Sequence, residues 1–224
     1  MIKFYYNLSP DPMKVALLLE ELNLPYQSFP VDTRKKQQFL PVYRRVSPNA
    51  KVPAIQDGDV TVFDSNAILL YLADREEQFV PLAGDGIARA KALSWLMFIA
   101  TSIGPSSAQS IHFRYVADAD NEYALARYDS EAHQAWTVIE QRLATHTFVL
   151  GQDYSIVDMA LWGWSRLLPY ILGTGDATWA RYPNVKRFTD AIHARPAAAR
   201  VESLKTKHSF KVARRYRPEA SSAI

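Results

Sequence analysis

The chain has no cysteine among its 224 residues. That excludes a disulfide framework, a thiolate metal site and any mechanism whose nucleophile is a protein thiol. It fits a reducing compartment, and a cytoplasmic location is expected. The five histidines never fall three to five residues apart, so a histidine-based metal site has no support and no metal is expected. No segment reads as a membrane span. The longest uncharged run, residues 92–113, contains five serines and a Gly-Pro pair and reads as a buried helix. Met1 leads directly into the apolar alternation Ile2, Phe4, Tyr6, so no signal peptide is expected. Internal repeats and low-complexity segments are also missing.

What is present is a core. The chain is 48% hydrophobic and 12% aromatic, which argues against disorder. Its length allows one large domain or two small ones. The formal net charge is +3, but Lys205 to Arg217 holds six basic residues and no acidic one; without them 20 basic residues face 23 acidic ones. The basic balance belongs to the tail, which reads as solvated, and neither nucleic acid nor membrane is an expected partner.

Along the chain, residues 2–6 alternate as a strand. A helical stripe follows at Val15, Leu18, Leu19 and Leu22, with Asp11 as the expected N-cap because Pro12 suits the first helical position. Residues 26–31 read as a second strand, parallel to the first through a right-handed crossover. Residues 34–46 form a basic, weakly periodic arm. Residues 52–55 and 60–63 are short antiparallel strands around Asp57-Gly58, and a helix starts at Ser65. Pro81, Gly84 and Gly86 mark a linker. Beyond it the pattern is helical: 87–116 with a bend at Gly104-Pro105, 121–145, a helix opened by a Ser155–Asp158 capping box and continuing to Ile171, then 184–194 and 196–206. The expected fold is an α/β thioredoxin-like unit over 1–78, a linker over 79–86, an all-α domain over 87–206 and a basic tail over 207–224.

Three places carry candidate chemistry. Val52-Pro53 is either an ordinary edge-strand proline or a cis bond that turns the Val52 N–H and C=O outward to pair with a bound peptide. Asp64-Ser65 is either a plain helix cap or a site where unpaired N–H groups and the Ser65 hydroxyl meet a carboxylate while Asp64 meets an ammonium. Lys51 and Gln38 are either surface residues or contacts to a second carboxylate. At the first strand-to-helix turn, Ser9 can donate to a thiolate and lower its pKa, whereas an inward Asp11 would raise it.

The segments SPNAKVPAI, FDSNAILLYLA and YSIVDMALWGW, in this order, resemble a glutathione transferase over nearly the whole chain. MIKFYYNLSPDPMKV, QFLPVYRRVSPNAKVPAI, GPSSAQSIHF and Ala126-Arg127-Tyr128 are similar to the bacterial nu class and the related yeast nitrogen-regulator branch. The resemblance implies glutathione as co-substrate. It places the thiol-activating residue on Ser9, where the family has Thr, and its neighbour on Asp11, where the family has Asn. The γ-glutamyl contacts fall on Asp64 and Ser65, backbone pairing on Val52 beside Pro53, a glycyl-end contact on Gln38, and an arginine from the helical domain on Arg127. It implies a homodimer, and either conjugation to an electrophile or reduction of disulfides or hydroperoxides. A non-catalytic glutathione-binding or regulatory protein is the alternative. The second substrate is expected to meet aromatics such as Tyr6, Phe113, Tyr115 and Trp164.

Overall fold

The computed structural model describes residues 1–118 and 120–207; the basic tail expected over 207–224 lies almost entirely outside them. Strand β1 (Ile2–Tyr6) buries Ile2, Phe4 and Tyr6 and exposes Lys3, the alternation of a sheet with one face on the core. Helix α1 (Pro10–Glu21) follows, then β2 (Tyr26–Pro30), which runs parallel to β1 with Ile2 opposite Tyr26. An arm of two 3-10 turns, Thr33–Lys35 and Gln37–Phe39, leads to a short helix α2 (Pro41–Arg44). Strand β3 (Ala54–Asp57) pairs antiparallel with β1 on one side and with β4 (Val60–Phe63) on the other. The sheet order is therefore β2-β1-β3-β4, the thioredoxin-like arrangement. Gly58, at φ +59°, makes the hairpin turn in a conformation that costs glycine nothing. Helix α3 (Ser65–Glu76) returns to pack beside α1.

Two local expectations need correction. Asp11 does not cap α1. The cap is Ser9, with Pro10 as first helical residue, Asp11 second and Pro12 third. Both prolines fit because the first turn has no intrahelical use for their missing N–H. Strand β3 starts at Ala54 rather than residue 52, since Pro53 has no N–H for a ladder and the Val52–Pro53 bond is cis.

The second half is helical. Residues 86–116 form one unbroken helical run: α4 (Gly86–Phe98), a π-helical turn (Ile99–Ile103), α5 (Gly104–Ile111) and a second π-helical turn (His112–Val116). Pro105 cannot donate to the Thr101 carbonyl, and the first widened turn sits directly before it. Helix α6 (Glu122–Ala144) buries Ala132, Trp136, Ile139 and Leu143. The stripe expected to run to Ile171 is two helices, α7 (Ile156–Ser165) and α8 (Leu168–Leu172). Pro169 would clash with the Ser165 carbonyl, so the first helix stops there. Short α9 (Thr178–Arg181), α10 (Pro183–His193) and α11 (Pro196–Lys207) complete the half.

One buried apolar cluster joins the two halves, from Phe4, Leu18 and Ile68 through Leu96 and Trp136 to Trp162, Phe188 and Val201. Helix α1 is central to it, lying against α3, α7 and α11. The entry to α7 is fixed by Asp158, which is fully buried. It accepts from the N–H of Val149 at 2.7 Å, from the N–H of Ser155 at 2.9 Å and from the Ser155 hydroxyl at 3.0 Å. The Ser155 hydroxyl in turn accepts from the Val157 N–H, so the expected capping box is present.

Asp158→Ala would leave two buried N–H groups without an acceptor. The expected loss is about 3 kcal/mol, one lost cap plus unsatisfied donors. Urea unfolding followed by tryptophan fluorescence measures it; a loss below about 1 kcal/mol would rule out this role for the box.

Candidate active site

The helix N-termini of α1 and α3 open on the same cleft, a space of about 400 Å³ at the junction of the two halves. One wall is the thioredoxin-like half: Asp11, Lys14, Lys51, Val52, Pro53, Asp64, Ser65 and Asn66. The other is the helical half, chiefly Ile99, Ala100, Gly104, Ala108 and Trp164. Seven of the residues singled out in the sequence thus come together: Asp11, Lys51, Val52, Pro53, Asp64, Ser65 and Trp164.

The wall is shaped by the segment before β3. Ser47 and Tyr43 both donate to the Lys51 carbonyl, at 2.9 and 2.7 Å, which holds the chain on its approach to the cis bond. Ala50 sits at φ +53°, a left-handed conformation costing roughly 1 kcal/mol without glycine. At α3, Asp64 is the N-cap, at φ +71°; its Oδ1 accepts from the N–H groups of Asn66 and Ala67 at 2.9 and 3.1 Å. This cap uses one carboxylate oxygen and leaves Ser65, 5% exposed, as the first N–H and hydroxyl at the helix start.

The α1 end differs. Ser9 is exposed and is not part of the cleft lining. Its hydroxyl donates to Asn7 Oδ1 at 2.5 Å, and its N–H donates to the same oxygen at 2.9 Å. Asn7 is itself turned by its Nδ2, which donates to Thr33 Oγ1 at 3.3 Å. Asp11 faces the cleft and pairs with Lys14 at 2.9 Å. Lys14 also donates to Asn66 Oδ1 at 2.9 Å. The inward Asp11 is therefore answered by a cation.

Three candidates stand elsewhere. Arg127 lies on the outer face of α6, 57% exposed and paired with Glu131 at 2.8 Å. Gln38 is outside the lining, in the arm, with its Oε1 buried and without a hydrogen-bond partner. Tyr6 is fully buried and stacks on Phe4 at 5.2 Å, because residue 6 lies on the core face of β1; it cannot meet a substrate. Of the other expected aromatics Trp164 lines the cleft, while Phe113 stacks on Tyr128 and Tyr115 on Tyr170. The sequence reading missed Lys14 and Asn66. The signal for Lys14 was its place three residues after Asp11, on the same helical face. Asn66 gave none, since it differs from any polar first-turn residue only by what it touches. Among the described residues no group of three or more His, Cys, Asp or Glu is placed to hold a metal ion.

With this geometry in view, the chain can be compared with known proteins. Residues 8–75 match the family model for the N-terminal domain of glutathione S-transferase, and residues 122–191 match that for its C-terminal domain. Over 211 residues the chain is 35% identical to the disulfide-bond oxidoreductase YfcG of Escherichia coli, covering 88% of this chain and 92% of that protein. A glutathione transferase family member from Pseudomonas fluorescens, crystallised with two glutathione molecules, superposes with a TM-score of 0.83 at 34% identity, over 89% of this chain and 91% of that one. The glutathione transferase URE2P6 of Phanerochaete chrysosporium, in complex with oxidised glutathione, gives 0.86 at 29% identity, over 92% and 96%.

Beside the cleft, α7 approaches α1 closely. A Cβ on Gly163 would lie 2.7 Å from the Pro10 carbonyl oxygen and 3.3 Å from Lys14 Cβ. Gly163→Ala is expected to push the helices apart and cost about 2 kcal/mol, as overpacking does. Gly84, with nothing within 4 Å of an added Cβ, is the control. Equal thermal midpoints for the two alanine variants would show that the contact does not constrain the fold.

Proposed function

The chain belongs to the glutathione S-transferase family, among relatives of the YfcG and Ure2 kind, and from that premise we propose that it is a glutathione-dependent disulfide reductase. The observation that carries this reading is the cleft itself: two helix N-termini, Val52–Pro53 and Asp64–Ser65 converge in a chain that has no cysteine. The reacting sulfur must then come from the substrate. The γ-glutamyl carboxylate binds at the start of α3 through the N–H and hydroxyl of Ser65, where the helix dipole favours an anion. The γ-glutamyl ammonium meets the free oxygen of Asp64. The cysteinyl backbone pairs with Val52 as an added strand. Lys51 serves the glycyl carboxylate; Gln38, in the arm, is not among the residues lining the cleft.

The sulfur then lies toward the turn at Ser9. The Ser9 hydroxyl turns from Asn7 to donate to the thiolate, stabilising the charged form. That thiolate attacks one sulfur of a disulfide; the S–S bond breaks and its electron pair leaves on the other sulfur, which takes a proton from solvent. A second glutathione thiolate attacks the mixed disulfide, releasing the second thiol and glutathione disulfide. Two glutathiones are oxidised for each disulfide reduced. The relatives crystallised with two glutathiones or with oxidised glutathione support this pairing, and the 35%-identical disulfide-bond oxidoreductase favours reduction over conjugation.

Ser9→Ala is expected to lower kcat for a small disulfide such as hydroxyethyl disulfide by about 10- to 100-fold, the value of a hydrogen bond to a charged group. Ser9→Thr should retain activity. Ser65→Ala is expected to raise the glutathione KM about tenfold with little change in kcat. Unchanged kcat in Ser9→Ala would reject Ser9 as the thiol-stabilising residue. Wild-type protein that binds glutathione yet turns over no disulfide, hydroperoxide or electrophile would make it a binding or regulatory protein. The same reading includes a homodimer, in which Arg127, exposed and outside its own cleft's lining, is accessible to a second copy. Light scattering should give twice the 25.4 kDa chain mass, and a monomer mass would remove that part.

A further inference from the structure

Lys14 is buried in a way the glutathione contacts do not require. Its side chain is 1% exposed, whereas its partner Asp11 is 40% exposed. A buried ammonium is costly unless it is paired and hydrogen-bonded, and Lys14 has both an ion pair and the Asn66 amide oxygen. An ordinary surface pair one helical turn apart would leave its lysine in water. Here the lysine joins the first turn of α1 to the first turn of α3, and α7 closes over it at Gly163.

The α1 terminus also has little else to offer an anion. Pro10 and Pro12 carry no N–H, and the Ser9 N–H is given to Asn7. Asp11 adds a carboxylate where a helix N-terminus otherwise favours negative charge from a ligand. Lys14 is the cation held at this helix start; Lys51 lines the same wall from the segment before β3, and Arg166, at the end of α7, donates to the Leu8 carbonyl at 3.4 Å.

We propose that Lys14 is a positioning residue for the thiol: its buried ammonium neutralises Asp11 and fixes it against Asn66, so that a glutathione thiolate can form beside a carboxylate. This rests on the glutathione reading above. It makes Asp11 and Lys14 a matched pair, with opposite effects on the same bound sulfur.

The experiment is a pH titration of the thiolate absorbance of glutathione bound to the full-length protein, after calorimetry has established binding. Lys14→Met is expected to raise the bound thiol pKa by about one unit, a tenfold loss of thiolate at pH values below it. Asp11→Asn, at a half-exposed position, is expected to lower it. The double variant should lie between the two singles. Asp11→Asn covers the case in which Lys14→Met fails to fold. A wild type that binds no glutathione overturns both readings. A wild type that binds, with the pKa unmoved in Asp11→Asn or in a folded Lys14→Met, overturns this one alone and leaves Lys14 a structural residue.

Discussion

An ammonium group removed from water must be answered by charge and hydrogen bonds, and at Lys14 that requirement organises three helices. The penalty for a buried ion is several kcal/mol, far above the fraction of a kcal/mol that an exposed pair contributes. It is met only if α1 presents Asp11, α3 presents Asn66, and α7 comes close enough to exclude solvent. The last condition is a matter of size. Only a residue without a Cβ lets α7 approach the Pro10 carbonyl as it does at Gly163. The fold of the helical half is thereby tied to the geometry of the first strand-to-helix turn, and the continuous apolar core spanning both halves is consistent with that coupling.

The two helix N-termini at the cleft are not equivalent. At α3, the cap on Asp64 leaves the Ser65 N–H and hydroxyl at the helix start, where negative charge is favoured. At α1, two prolines remove donors and Asp11 adds negative charge, so the helix terminus alone is a poor place for a thiolate. On the reading proposed above, binding and reactivity fall to different ends, the first built from backbone and the second from side chains that must be balanced against one another. The missing cysteine sharpens the division. With no thiol of its own the chain has no protein sulfur to react, so in the proposed reaction the sulfur arrives with the substrate.

The parts that could be read from the sequence are those set by local chemistry. Asp57-Gly58 announces a hairpin because glycine takes φ +59° without strain, and Ser155 with Asp158 announces a helix start because both partners of the box lie within four residues. Errors arose where two local rules competed. Pro12 suits a first helical position, but so does Pro10, and the chain uses the earlier one. The stripe through Leu168 and Ile171 continues the apolar period of α7, yet Pro169 ends the helix. Tyr6 has the look of a site aromatic, but strand parity puts it in the core. Lys14 was least legible of all. Its burial comes from α7, some 150 positions away, and no window of sequence around residue 14 contains that information.

The helical wall of the cleft differs in composition from the thioredoxin-like wall. Ala100, Gly104 and Ala108 follow one another four residues apart, along one face of the run from 86 to 116. Small side chains there leave space between the halves that larger ones would fill, and Trp164 supplies the flat apolar surface beside it. The widened turn at Ile99–Ile103 begins on the same stretch. Such turns recur where a helix serves something other than its own regularity. The thioredoxin-like half, with its strand edge and helix caps, offers contacts suited to the fixed parts of a peptide. Opposite, the small residues and the buried indole of Trp164 are apolar, and Gln109 supplies a carboxamide donor and acceptor. On the reductase reading proposed above, selection at this wall would rest largely on shape and apolar area, which ranks substrates by only a few kcal/mol per group, with Gln109 as a polar contact.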